Sequence, residues 1–363
     1  FFEPDDADAA RAFHDERRRL GIREMMYMGV QIVAPTESQQ FFDALWRNPY
    51  KSDSRHTMSV CHGSSFTDYI LYEVREHLKR FNLNSVYTDV DRLIPCDNAL
   101  HGCGTVDAFG RRVATYHILE RRDFYKRLVT ICRNLDSVYN PGLYHCHCHD
   151  NLVLPYHAWA DLFYPGEQYS HAMYKKPWFY MEEHDPMAWR CELRGKAFGI
   201  PHVFLPQFKR GTGDEKHLQV PQYTQSLIGI TLVNDIVMCG TWNHDESVEE
   251  LWDIKARTGL NRDDAEFVAF WRENCPVGTD DKARAYVYIV RPDRACVVVQ
   301  NAAKNDRDIV ITANLKALGI DPAKVQAKDE RTGKAFEVKN GTFTIPVKGY
   351  NYTVISLTPM MEE

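Results

Sequence analysis

From residue 20 to about residue 260 the chain alternates short runs rich in β-branched and aromatic residues with amphipathic helical stretches. A strand followed by a helix and then another strand brings the chain back in the same direction, so this alternation predicts a parallel sheet covered by helices. The strand candidates are Arg23 to Val33, Ser85 to Val90, Gly142 to His149, Ala160 to Phe163 and Ile200 to Leu205. Helical spacing of Ile70, Val74 and Leu78 predicts a helix over Tyr69 to Arg80, and Phe124, Leu128 and Ile131 predict another over Asp123 to Leu135. The fold class expected is α/β, a (β/α)8 TIM-type barrel. Such a barrel needs eight strands; only five or six are visible, so the first β/α units are expected upstream of Phe1 or in irregular form. An open doubly wound sheet is the alternative, but no G-x-G-x-x-G turn supports a nucleotide site of that kind.

Near residue 280 the texture changes to short alternating strands with turn signals. Candidates run from Ala285 to Val290, Ala295 to Gln300, Ile309 to Ala313, Thr342 to Val347 and Tyr352 to Leu357, with Asn340-Gly341 as a hairpin turn. The expected organisation is a barrel over residues 1–275 and an antiparallel β-sandwich over 276–363.

Hydrophobic residues make up 44% and charged residues 26% of the chain, a globular rather than disordered balance. The formal net charge of -6, with both signs interspersed, offers no basic stripe to neutralise phosphates, so nucleic acid is not an expected partner. No apolar run approaches the ~20 residues of a membrane span. With 7 Trp and 19 Tyr the chain has ample aromatic faces for stacking on sugar rings, although most of them must serve packing.

The segment Ser85-Val86-Tyr87-Thr88-Asp89-Val90-Asp91-Arg92 is the most informative. Strand alternation predicts Val86, Thr88 and Val90 against helices and Tyr87, Asp89 and Asp91 inside the barrel. Asp89 then lies at the C-terminal end of its strand, where barrel enzymes gather catalytic residues, and suits a nucleophile or a stabiliser of an oxocarbenium-like transition state. An Asp that caps the following loop or pairs with Arg92 is the alternative. General acid and base work needs a second carboxylate. Glu167, presented by Pro165-Gly166 after the strand that holds Phe163, is the candidate, and Asp161 competes with it.

A third cluster joins Cys96, His101 and Cys103 with the run His145-Cys146-His147-Cys148-His149, whose alternation separates three histidines from two cysteines. Cys96, Cys103, Cys146 and Cys148 together have the donor set of a tetrahedral zinc site, but their spacing matches no standard zinc module. Buried cysteines beside histidines that bind substrate hydroxyls, with no cofactor, is the plainer reading. The ten cysteines leave free thiols, one or two bridges or a metal all open.

At these residues the chain resembles a little-characterised group of glycoside-hydrolase-like barrel proteins with a C-terminal sandwich. The pattern is Tyr87-x-Asp89, then Cys96 and His101-Gly102-Cys103-Gly104, then a histidine-bearing strand over His145 to His149, then Asp161 and Gly166-Glu167. It spans roughly residues 20 to 210. Tyr-x-Asp at a strand end also resembles, more remotely, the retaining α-N-acetylgalactosaminidases of glycoside hydrolase families 101 and 129, which implies Asp89 as nucleophile and a downstream carboxylate as acid/base. The expectation is therefore an exo-acting, retaining glycoside hydrolase acting on a carbohydrate, secreted or periplasmic. Asp89 and Glu167 would be catalytic, and Tyr87, Asp91, Arg92, His101, His149 and Asp161 would bind substrate. Two rivals stand beside it: a metal-dependent hydrolase of the amidohydrolase type, suggested by the His-x-His pairs, and a non-catalytic carbohydrate-binding protein on a degenerate barrel.

Overall fold

In the computed structural model, which describes residues 4–30, 32–33, 58–91, 93–148, 152–195, 199–208, 216–279, 283–290 and 294–360, four strands form one parallel sheet. They are Met26–Gly29, Val86–Asp91, Tyr144–Cys148 and Leu162–Tyr164, and they lie side by side in sequence order. Sequence order is what a barrel builds, whereas a doubly wound sheet reverses direction at a switch point, and among the described residues this sheet shows no such reversal.

The helices cover one face of this sheet. Phe66–Arg80 buries Ile70, Leu71, Val74 and Leu78, and Ile118–Asn134 buries Phe124, Tyr125, Leu128 and Cys132, each set recurring at helical spacing. They pack on Met26, Met28, Val86, Tyr144, Cys146 and Phe163 in a single apolar core. Residues of the opposite phase, Tyr27, Tyr87, Asp89, His145, His147 and Tyr164, take the other face. Tyr27 is in register with Tyr87, and Tyr87 with His145.

Two further parallel strands, Val203–Phe204 and Val237–Met238, pair with each other. Among the described residues the parallel strands do not close into a barrel, which corrects the expectation of eight-stranded closure. The chain divides into two compact units, Phe1–Pro165 with Phe198–Pro201, and Gly166–Ala197 with His202–Glu363.

The second unit holds a six-stranded antiparallel sheet, in the order Glu266–Val268, Ala283–Val290, Arg294–Asn301, Tyr352–Pro359, Val325–Asp329, Ala335–Phe336. A three-stranded sheet of Val277–Gly278, Arg307–Ala313 and Thr342–Val347 faces it. Val297, Val299, Ile309, Ile311, Ile345 and Leu357 fill the space between them, as a sandwich requires. On its other side the larger sheet carries Tyr286, Tyr288, Val298 and Val354 against Ile228, Leu232, Leu251 and Ile254 of the helices Pro221–Val233 and Asp245–Thr258. Burial on both faces explains why Ala283–Val290 and Arg294–Asn301 read as nearly continuous apolar runs, while Arg307–Ala313 and Thr342–Val347 alternate. Asn340 and Gly341 both take left-handed φ, 52° and 78°, and join the bridge between Lys339 and Thr342.

Candidate active site

Asp89 stands at the C-terminal end of the Val86–Asp91 strand on the face away from the helices. Its neighbour in register is Gly29, which has no side chain. The carboxylate is fixed from both sides: the Tyr27 hydroxyl donates to Oδ2, and His147 Nδ1 lies 3.0 Å from Oδ1. The Tyr87 hydroxyl is 2.7 Å from the same ring nitrogen of His147. Tyr164 packs edge-on to Tyr87 at 5.8 Å and lies 5.0 Å from His145 between ring centroids. Burial, together with the neighbouring His147, pushes His145 down to about 4, so it is neutral at neutral pH. A part-exposed carboxylate that accepts from the Tyr27 hydroxyl and lies beside the His147 ring, among aromatic rings, is an oriented anion beside a surface suited to the C–H face of a sugar ring. Tyr27 and Tyr164 were not among the residues expected at the site. Their signal was available, since each shares the strand phase of Tyr87 and Asp89.

Asp91 does not share that face. The pairing register shifts between Thr88 and Asp91, and this irregularity turns Asp91 toward the helices. There it is buried in an ion pair with Arg121, accepts from Tyr125 Oη at 2.6 Å and from Cys146 Sγ at 3.1 Å, and lies 3.5 Å from His157 Nε2. His157 Nδ1 accepts from the Val153 amide at 2.8 Å, which leaves the ring proton on Nε2, facing Asp91. Burial alone would raise the Asp91 carboxyl, but the Arg121 guanidinium and the bonds from His157 and Tyr125 outweigh it and hold the group well below the usual carboxylate range. The expected role of Asp91 on sugar hydroxyls is thereby corrected to an internal ion pair. Asp91, Cys146 and His157 are close enough to share a cation, but Arg121 already supplies the positive charge.

Asp161 is also corrected. It precedes the Leu162–Tyr164 strand, at the N-terminal edge of the sheet, where it pairs with Arg133 and accepts from the Tyr144 amide at 2.8 Å. That edge is opposite to the one bearing Asp89, so Asp161 leaves the competition for acid/base. Glu167 opens the turn Glu167–Tyr169 behind Gly166, in the second unit. Gly166 adopts φ 134°, and a Cβ there would lie 2.2 Å from the Leu205 carbonyl oxygen, so only glycine permits this exit from the strand. Arg92 and His149, and the side chains of Val90 and Cys148, fall outside the described residues.

The cysteines regroup. Cys96 and Cys103 lie together as expected, but their companions are Cys61 and His101, while Cys146 faces Asp91. The expected set of Cys96, Cys103, Cys146 and Cys148 is corrected accordingly, and His101 belongs to the sulfur cluster, with its Nε2 3.4 Å from Cys96 Sγ.

The described residues thus hold a parallel sheet in sequence order with helices on one face and, later in the chain, a β-sandwich. The family model described as glycoside hydrolase 123, C-terminal domain, matches residues 234–345. In fold the chain is similar to a noncanonic maltogenic alpha-amylase from Thermotoga neapolitana, at 13% identity and TM-score 0.59 over 96% of this chain and 80% of that one. It is similar to an Anoxybacillus alpha-amylase, at 9% identity and TM-score 0.59 over 98% and 80%. A GH27 β-L-arabinopyranosidase from Geobacillus stearothermophilus gives 12% identity and TM-score 0.57 over 97% and 78%. These neighbours are TIM-barrel proteins with a C-terminal sheet domain. No curated protein sequence matches the chain. Among the described residues no helix is long and apolar enough to cross a membrane.

Proposed function

We propose that the chain is a glycosidase, exo-acting and retaining, in which Asp89 is the nucleophile and Glu167 the acid/base. The observation that carries the reading is the setting of Asp89: a strand-end carboxylate, held by Tyr27 and His147, on a face lined by Tyr87, His145 and Tyr164. Asp89 would bond to the anomeric carbon as the glycosidic C–O bond breaks, with the Glu167 proton passing to the leaving oxygen. Water, deprotonated by Glu167, would then cleave the glycosyl ester. The glycoside hydrolase neighbours in fold and the family match at residues 234–345 support a carbohydrate substrate.

The test is a screen of nitrophenyl glycosides, N-acetylhexosaminides included, with the product anomer followed by NMR. Retention of configuration supports the double displacement, in which the two carboxyl groups must approach to ~5 to 5.5 Å. Inversion would remove the nucleophile role from Asp89. Sugar binding without turnover of any glycoside would replace the enzyme with a binding protein.

A further inference from the structure

Between the Val86–Asp91 strand and the helix that starts at Ile118 the chain makes an excursion with almost no interior of its own. Over residues 93–117 the buried residues are Cys96, Asn98 and Cys103. Leu100, Val106, Phe109 and Tyr116 are exposed, and beyond Leu93 none of these residues joins the apolar core. A segment of this length with so little to bury needs another source of order.

The two cysteines meet a third, Cys61, in a buried cluster that consists of these three residues and is separate from the apolar core. His101 completes it, and the four donor atoms lie within 4.8 Å of one another. The sulfurs of Cys61 and Cys103 are 3.7 Å apart, and Cys96 Sγ is 3.4 Å from His101 Nε2. A tetrahedral zinc ion, with Zn–S ~2.3 Å and Zn–N ~2.0 to 2.1 Å, holds sulfur pairs about 3.8 Å apart and sulfur–nitrogen pairs about 3.6 Å apart. A disulfide would bring two sulfurs to ~2.05 Å.

The backbone presents the donors in a fixed way. Cys96 exchanges both backbone bonds with Thr115 at 3.0 Å. Asn98 caps the short turn that carries His101, by accepting from the Leu100 amide at 2.9 Å. Gly102, at φ 81°, reverses the chain so that Cys103 can return. The Gly63 amide donates to Cys61 Sγ at 3.3 Å, a bond that strengthens when the sulfur is a thiolate. A Cβ on Gly63 would come within 3.2 Å of Cys103 Sγ, so the absence of a side chain there keeps the sulfurs together.

We propose that Cys61, Cys96, His101 and Cys103 bind one structural zinc ion, which pins the 93–117 excursion to the segment before the Phe66–Arg80 helix. All four tetrahedral positions are filled by protein, as in closed structural sites, and three thiolates with one imidazole select zinc over the harder divalent cations. The proposal is independent of whether the chain cleaves glycosides.

The experiment is elemental analysis of the full chain, purified under reducing conditions and dialysed against trace zinc, with cobalt(II) substitution as the second readout. The expected result is one zinc per chain. In the cobalt form, thiolate-to-metal charge transfer and the intense visible bands of a tetrahedral ion should appear. Cys103→Ser should hold no zinc or bind it at least tenfold more weakly, while Cys146→Ala keeps one equivalent. Less than a tenth of an equivalent in the wild-type chain after reconstitution, a Cys61–Cys103 disulfide with no metal uptake, or zinc lost from Cys146→Ala but retained by Cys103→Ser would each overturn the assignment. Because the wild-type chain alone gives the stoichiometry and the cobalt spectrum, a variant that fails to fold does not shield the proposal.

Discussion

One ring nitrogen of His147 serves two partners: Nδ1 lies 3.0 Å from Asp89 Oδ1 and 2.7 Å from the Tyr87 hydroxyl. The imidazole therefore couples the orientation of the carboxylate to that of the tyrosine on the same strand. If Asp89 attacks the anomeric carbon, His147 acts by positioning it. His147→Ala should lower kcat about 10- to 100-fold with a smaller change in KM. His147→Asn, whose amide nitrogen can stand near the lost Nδ1, should recover part of that rate. Equal losses in the two variants, measured on the best glycoside of the screen, would remove the positioning role.

Asp89→Asn keeps size and hydrogen bonding but removes the charge that must attack. Turnover should fall by several orders of magnitude while the melting temperature stays close to that of the parent and sugar binding persists. An active but destabilised Asp89→Asn protein would end the nucleophile assignment.

Asp91→Asn belongs to a different category, because it strands the buried charge of Arg121. Breaking one side of such a pair costs about 3 to 5 kcal/mol. The melting temperature should drop markedly, turnover per folded molecule should change little, and pairing Asp91→Asn with Arg121→Met should restore part of the stability. A stable Asp91→Asn protein with a raised KM would return this residue to the substrate.

Stability should fall on mild acidification. Burial, with His147 nearby, depresses His145 to about 4, and burial depresses His184 to about 4 against a partial opposing effect of Asp185. Unfolded imidazoles titrate near ~6.5, so between about pH 6.5 and 4 the unfolded chain binds more protons and stability rises with pH. Each group contributes at most about 1.4 kcal/mol per pH unit in that window. Its contribution is complete above pH ~6.5 and fades as pH falls toward 4. Asp91, also depressed, keeps its contribution until the pH falls below the ~3.9 of an unfolded Asp. Urea midpoints at pH 7, 5.5 and 4.5 should decline in that order, and a flat series would show that these histidines are hydrated in the folded chain.

Gly341→Ala should destabilise the second unit by about 1 kcal/mol or more. The residue sits at φ 78°, and a Cβ there would lie 2.3 Å from the Ala313 carbonyl oxygen. Denaturant titration of the single variant is sufficient to check it.

Where periodicity and burial agree, the sequence was readable. The core-facing spacing of Ile70, Val74 and Leu78 predicted a helix, and the alternation of Val86, Tyr87, Thr88 and Asp89 assigned Asp89 to the correct face. Asp91 was misread because alternation assumes an unbroken ladder, and the register shift before it is not encoded in the pattern of polar and apolar residues. Asp161 was misread because a carboxylate next to a strand looks the same at either end until Arg133 and the Tyr144 amide are seen to hold it. Cys96, His101 and Cys103 group together in the sequence, whereas Cys61 was missed because it is far from Cys96 along the chain and nothing local points from one to the other. Val325–Asp329 was passed over because its outward residues, Gln326 and Lys328, give it the polarity of a loop.

The two-sided covering of the Ala283–Val290 and Arg294–Asn301 strands bears on how the protein can be cut. A fragment starting at residue 276 would keep five strands of the larger sheet yet lose its edge strand Glu266–Val268 and the helices Pro221–Val233 and Asp245–Thr258, laying Tyr286, Tyr288, Val298 and Val354 open to water. Such an apolar patch is hidden by self-association, so that fragment should precipitate. A fragment meant for expression by itself, or a piece exchanged between proteins by recombination, has to begin ahead of Pro221 to carry its own cover.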